Sequence, residues 1–139
     1  MQTIVTLTIN PTIDVSVRVE HVVPDDKLRC SQPDCEPGGG GLNVARAIGR
    51  MRGEAIALYT SGGPTGQRLQ MLLNEEGVRQ RPVSISGLTR ENFMTFESSS
   101  DRQFRFIMPG PELREGEWQA CLEELRTLQP KPDYVVGSG

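Results

Sequence analysis

Residues 36–51, EPGGGGLNVARAIGRM, set four consecutive glycines directly in front of an amphipathic run. Glycine loses more conformational entropy on folding than any other residue, so four together mark a backbone that must bend, move or lie close to a ligand. Leu42, Ala45, Ile48 and Met51 recur at helical spacing, with Arg46, Arg50 and Arg52 expected to turn away from the core. The glycines therefore precede a helix whose first turn carries one polar side chain, Asn43. Bare backbone amides at a helix start, with an amide side chain beside them, suit a hydroxyl-rich or anionic ligand. A flexible joint merely capped by Asn43 is the plainer reading of the same residues. Two familiar phosphate motifs do not fit. No lysine follows as in GxxxxGK[ST], and the third glycine of GxGxxG is replaced by Asn43 or Val44, which also sets aside a dinucleotide-dependent oxidoreductase.

Other polar residues narrow the ligand. Asp14 follows the first strand-like run after the turn NPTI, at the edge of the sheet where α/β folds bind ligands. A carboxylate there can accept two hydrogen bonds from vicinal sugar hydroxyls, or it can serve a turn. Lys27 and Arg29 are expected to share one face of the following strand. Arg90 opens a hairpin in TREN, and Arg105 alternates outward from Phe104 and Phe106. Taken singly, each is a solvated strand residue. Together beside a helix N-terminus they form a phosphate cradle, because the planar guanidinium binds phosphate oxygens in pairs. His21 is the single histidine, and no nucleophile or metal arrangement can be built around it.

The elements that must hold these residues show two textures. TIVTLTI, EAIALYTS (54–61) and DYVVG (133–137) are short apolar runs of strand length, separated by helical stripes. One stripe is Leu69, Leu72 and Leu73, closed by Gly77; another is Trp118, Cys121, Leu122, Leu125 and Leu128, stopped by Pro130. Strands alternating with helices predict a parallel α/β sheet. By contrast, DVSVRVEH (14–21) alternates strictly, and NFMTFE (92–97) and RQFRFIM (102–108) flank the turn-like SSSD. Strict alternation without intervening helices predicts a small antiparallel sheet with one wet face. The expected division is a core at 1–10, 37–85 and 110–139, with an inserted β lid at 11–36 and 86–109.

Composition excludes several classes. The chain of 139 residues has the size of one ordinary domain, and 36% apolar with 24% charged residues describes a globular protein rich in turns (Gly 15, Pro 10). A net charge of -3 gives no basic excess for nucleic acid. No signal peptide and no membrane span is read, and Cys30, Cys35 and Cys121 lack metal spacing, so free thiols in the cytoplasm are expected.

TLTINPTIDVS, PGGGGLNVARAI, SGGPTG, TREN and FRFIMPGP, in that order across the whole chain, resemble the ribokinase/PfkB family of sugar kinases, with the phosphofructokinase branch most similar. The resemblance implies a ribokinase-like fold with a β lid that often pairs with a second subunit's lid into a homodimer. It implies that Asp14, Gly39, Gly40 and Asn43 hold sugar hydroxyls and that Lys27 and Arg90 meet the substrate's phosphate. Arg105 and Ser138 are counted with them as substrate-binding positions. It also implies ATP and Mg²⁺, and phosphorylation of fructose 6-phosphate. Phosphorylation by 1-phosphofructokinase or tagatose-6-phosphate kinase chemistry, or a non-catalytic sugar-phosphate-binding or dimerising remnant, are the alternatives. Family members are longer and carry a second motif, G-A-G-D, whose aspartate is the catalytic base. Nothing in the 139 residues matches it, so this chain is expected to be the substrate-side half, inactive alone.

Overall fold

A computed structural model describes residues 2–139. The apolar runs become the strands of a parallel sheet: β1 (Ile4–Thr8), β4 (Ala55–Ser61) and β8 (Tyr134–Ser138). The β-rich segments give β2 (Thr12–Val19), β3 (Asp34–Gly38), β6 (Arg90–Glu97) and β7 (Arg102–Phe106). A strand that the sequence does not announce, β5 (Arg79–Ser84), joins the parallel sheet, whose order is β5-β4-β1-β8. Its RQRPVS sequence has no apolar period, and Pro82 lacks an N–H; both are tolerated because β5 is an edge strand.

Three helices cover this sheet. On one face lie α1 (Gly40–Arg50) and α2 (Gly63–Glu75), burying Leu42, Ala45, Leu69 and Leu73 against Ala57 and Tyr59 of β4. The other face takes α3 (Glu115–Thr127), whose Cys121, with Leu128 just beyond the helix, packs on Val5, Ile56, Leu58 and Val83. Residues 56 and 58 of β4 thus face α3 while 57 and 59 face α1 and α2, the period of two that a doubly covered strand requires. Burying one such leucine stabilises the fold by about 1.5–3 kcal/mol.

Several sequence expectations need correction here. Trp118 and Leu122 were read into the α3 stripe but stay exposed, because α3 rests on β4 and β5 only through its Cys121 side. Met51 is likewise exposed, standing at the C-cap of α1 rather than in its buried stripe. Arg46 does not turn away from the core: it is 7% exposed and engages Glu76.

The second sheet has the order β3-β2-β6-β7. It is mixed rather than antiparallel. β2 pairs β3 and β6 pairs β7 in antiparallel fashion, but β2 and β6 run parallel, Asp14 opposite Asn92. Alternation reports which side chains share a face and is silent on strand direction, which is why the central pairing was misread. Lys27 and Arg29 are not on a strand at all. They lie in the exposed loop between β2 and β3, where the Lys27 N–H donates to Asp26.

Candidate functional site

The two sheets meet where the chain leaves β3 and enters α1, beside the carboxyl ends of β1 and β8. Gly39 is the N-cap of α1 with φ 114°, a left-handed-side conformation that favours glycine, and no side chain caps the helix. A Cβ on Gly39 would also stand 2.8 Å from the Thr8 methyl beneath it. One on Gly40 would stand 2.6 Å from the hydroxyl of Ser138, at the end of β8. The glycine wall is therefore thin because neighbours already occupy the space behind it.

Asp14, half-buried on β2, stands on the same sheet face as Glu36 of β3 and Asn92 of β6. Its Oδ1 accepts a hydrogen bond from Asn92 Nδ2 at 3.2 Å. Its Oδ2 occupies the place that a side chain at Gly38 would need. With Asn92, Met94, Arg105 and Ile107 it lines a shallow cleft. Arg105 reaches that cleft because it sits opposite Met94 across the β6–β7 hairpin.

Arg90 opens β6. Its Nη1 donates to the Met108 carbonyl at 3.0 Å and its Nη2 to the Asn10 carbonyl at 3.2 Å, which staples the root of the second sheet to the core. Its Nε is buried without a partner. A buried donor without a partner costs about 1–3 kcal/mol, and buried polar groups normally have one.

Asn43 is exposed on the first turn of α1, and its Oδ1 lies 3.4 Å from Arg46 Nη1. Arg46 in turn donates through Nη1 to the Pro37 carbonyl at 2.8 Å and through Nε and Nη2 to Glu76, each at 2.7 Å. The hydrogen bond to Glu76 holds its guanidinium above the ordinary arginine range, so it stays charged throughout.

The structure brings Asp14 and Arg105 to one cleft, sets Gly39, Gly40 and Ser138 together at the start of α1 with Asn43 on its first turn, and places Arg90 at the root of the second sheet. Lys27 is not among the side chains about Asp14; it stays in its exposed loop. Gly38, Asn92, Arg46 and Glu76 were missed. Asn92 carried a usable signal, since it lies two residues after Arg90 and hence on the same face of the same strand. Glu76 carried none, being 30 residues from Arg46.

A cavity of about 710 Å³ opens elsewhere, at the amino ends of β1, β4 and β5, lined by Ala45, Arg50, Gly53, Ile56, Val78 and Arg79 among others. It is larger than the Asp14 cleft, yet it lies at the wrong end of the sheet for an α/β ligand site.

Comparison with known proteins bears on the fold and the family. The family profile described as "pfkB family carbohydrate kinase" matches residues 2–139. The ATP-dependent 6-phosphofructokinase isozyme 2 of Mycobacterium tuberculosis is 44% identical over 136 residues, covering 98% of this chain and 40% of that protein. The isozyme 2 of Escherichia coli is 40% identical over 136 residues, covering 98% of this chain and 44% of that protein. The chain thus spans less than half the length of these relatives. The crystal structure of Escherichia coli phosphofructokinase-2 in complex with fructose-6-phosphate superposes with a TM-score of 0.93 at 39% identity, over 100% of this chain and 46% of that one. On a fold of parallel sheet, flanking helices and second sheet, with a profile match along all of its described length, the chain belongs to the pfkB family of carbohydrate kinases.

Proposed function

We propose that this chain is the substrate-holding part of an ATP-dependent 6-phosphofructokinase. The observation that carries the reading is the convergence of a hydroxyl acceptor and anion donors on one glycine-walled junction. Asp14 accepts from vicinal hydroxyls of the sugar, and Asn43 and the uncapped amides of α1 add donors. Arg105 and the free N–H of Arg90 take the phosphate, as does Lys27 if its loop closes over the cleft. Ser138, against Gly40, faces the same wall. The relatives named 6-phosphofructokinase at 40–44% identity support fructose 6-phosphate over other sugar phosphates. Relatives named D-tagatose-1-phosphate kinase (28% identical) and 1-phosphofructokinase (32% identical) mark the neighbouring specificities.

In this reading the second sheet is a lid on the sugar, and its role is positioning and exclusion of water. A second copy of the chain covers the outer face of that lid, where Phe93 and Phe106 are exposed. The setting is the cytoplasm, in keeping with three free cysteines. Among the described residues no helix is long and apolar enough to cross a membrane.

Carbohydrate kinases of this family use ATP and a divalent metal in general. The residues of this chain do not fit either group. Among the described residues no cluster of three or more His, Cys, Asp or Glu could hold a metal ion, and no lysine follows the glycine block. We therefore assign this chain's residues to the sugar phosphate rather than to the phosphoryl donor, and the chain alone is expected to form no fructose bisphosphate from ATP, Mg²⁺ and fructose 6-phosphate. Titration calorimetry with fructose 6-phosphate, fructose 1-phosphate, tagatose 6-phosphate and inorganic phosphate tests the reading. Fructose 6-phosphate is expected to bind tightest, with Asp14→Ala abolishing the preference. Binding no tighter than that of inorganic phosphate overturns it.

A further inference from the structure

We infer that Asn92 is a positioning residue that fixes the Asp14 carboxylate and ties it to the exit of the β6–β7 hairpin. The inference rests on reading the Asp14 cleft as the sugar site. Asn92 Oδ1 accepts the Met108 N–H at 3.0 Å, and Asn92 Nδ2 donates to Asp14 Oδ1 at 3.2 Å. The two contacts determine each other. A backbone N–H can only donate, so the carbonyl end of the amide must face Met108, and the NH₂ end is left for Asp14. An ionised carboxylate accepts only, so this is also the end that Asp14 requires.

The strand itself is pinned. The Asn92 backbone N–H donates to Thr12 Oγ1 at 3.2 Å, and the Met108 carbonyl is held by Arg90. Met108 is thus gripped at its N–H and its C=O by side chains two residues apart on β6. Asn92 therefore links the Asp14 carboxylate to the segment after β7, and a displacement of that segment is passed to the hydroxyl acceptor. The other charged groups near the carboxylate, Glu36 of β3, Arg46 of α1 and Arg105 of β7, provide field but make no hydrogen bond that would orient it.

Asn92→Asp separates this role from a structural one. The aspartate keeps an acceptor for Met108 and replaces the donor to Asp14 with a repelling oxygen, whereas Asn92→Ala removes both. Under either role the repulsion between the two carboxylates lowers the melting temperature of Asn92→Asp. If Asn92 only secures the hairpin exit, the folded variant binds fructose 6-phosphate like wild type; if it positions Asp14, the folded variant binds at least tenfold more weakly. That deficit is expected to persist in 1 M salt, where a merely added charge is screened beyond about 3 Å. Affinity within twofold of wild type overturns the inference. A wild-type chain that binds no sugar phosphate would instead overturn the site reading, and the contact is then read without ligand. The Asn92 side-chain amide protons, followed by ¹⁵N NMR, are expected to exchange at least tenfold faster in Asp14→Ala than in wild type. Equal rates overturn the inference.

Discussion

Glu76, at the C-cap of α2, receives both Nε and Nη2 of Arg46 from α1, while the third nitrogen of the same guanidinium holds the Pro37 carbonyl directly before the glycine block. One buried side chain thereby joins both helices of a sheet face to the strand from which the second sheet springs. Arg46→Ala leaves Glu76 and the Pro37 carbonyl without their donor. It is expected to lower stability by about 1.5–3 kcal/mol, the usual loss for hydrogen bonds to a charged group. Arg46→Lys is expected to recover less than half of that, since an ammonium cannot reproduce the two-pronged contact. Urea unfolding of both variants checks this; a lysine variant as stable as wild type would show that charge alone suffices.

Glycines of the same chain are expected to respond oppositely to one added methyl. At Gly38 the new Cβ meets the Asp14 carboxylate, so Gly38→Ala should displace Asp14 and weaken sugar-phosphate binding at least tenfold, about 1.4 kcal/mol. At Gly49, in the last turn of α1, a Cβ meets nothing within 4 Å. Gly49→Ala should stabilise the chain by about 0.4–1 kcal/mol through the unfolded state and leave binding alone. Melting temperature and affinity measured on the two variants separate the effects.

Acid should loosen two staples. Glu97 is held below the usual carboxylate range by hydrogen bonds from the Ser100 hydroxyl and the Val22 N–H. Glu117 is held low by the N–H groups of Ser86 and Arg114, which tie the start of α3 to the loop after β5. A depressed folded pKa contributes stability that is present above the unfolded value, 4.5, and is lost as pH falls through the folded one. Stability is therefore expected to decline from pH 4.5 downward, with a shallower decline in Glu117→Gln. Equal slopes for variant and wild type would remove Glu117 from the account.

Phe93 and Phe106 face each other across the β6–β7 hairpin on the sheet face opposite Asp14, 43% and 51% exposed. If a second copy covers them, Phe106→Asp should shift the chain toward monomer in sedimentation velocity without lowering its melting temperature at high dilution. An unchanged sedimentation coefficient would place the dimer contact elsewhere or nowhere.

Much of the candidate site is readable from the sequence because it is carried by residue types at short range. The glycine block with Asn43 and the position of Asp14 after the first strand stand in the letters themselves. The parallel sheet followed from alternation of element types, with β4 among the short apolar runs of strand length. What escaped depended on distant partners. Arg46 looked like a solvated helix residue because Glu76, which buries it, lies on another helix. Lys27 and Arg29 are expected on a strand following the 14–21 run, but the chain there is a loop that carries no strand until β3. Parallel pairing of β2 with β6 could not be read, since the two strands lie some 78 residues apart at Asp14 and Asn92.

The central claim is that sugar phosphate binds where the two sheets meet, and an amide chemical-shift map during titration with fructose 6-phosphate tests it most directly. The expected result is saturable shifts confined to Asp14, Gly38 to Gly41, Asn43, Asn92 and Arg105, all lost in Asp14→Ala. Shifts centred instead on Arg50, Gly53 and Val78, around the 710 Å³ cavity at the opposite end of the sheet, would contradict the account.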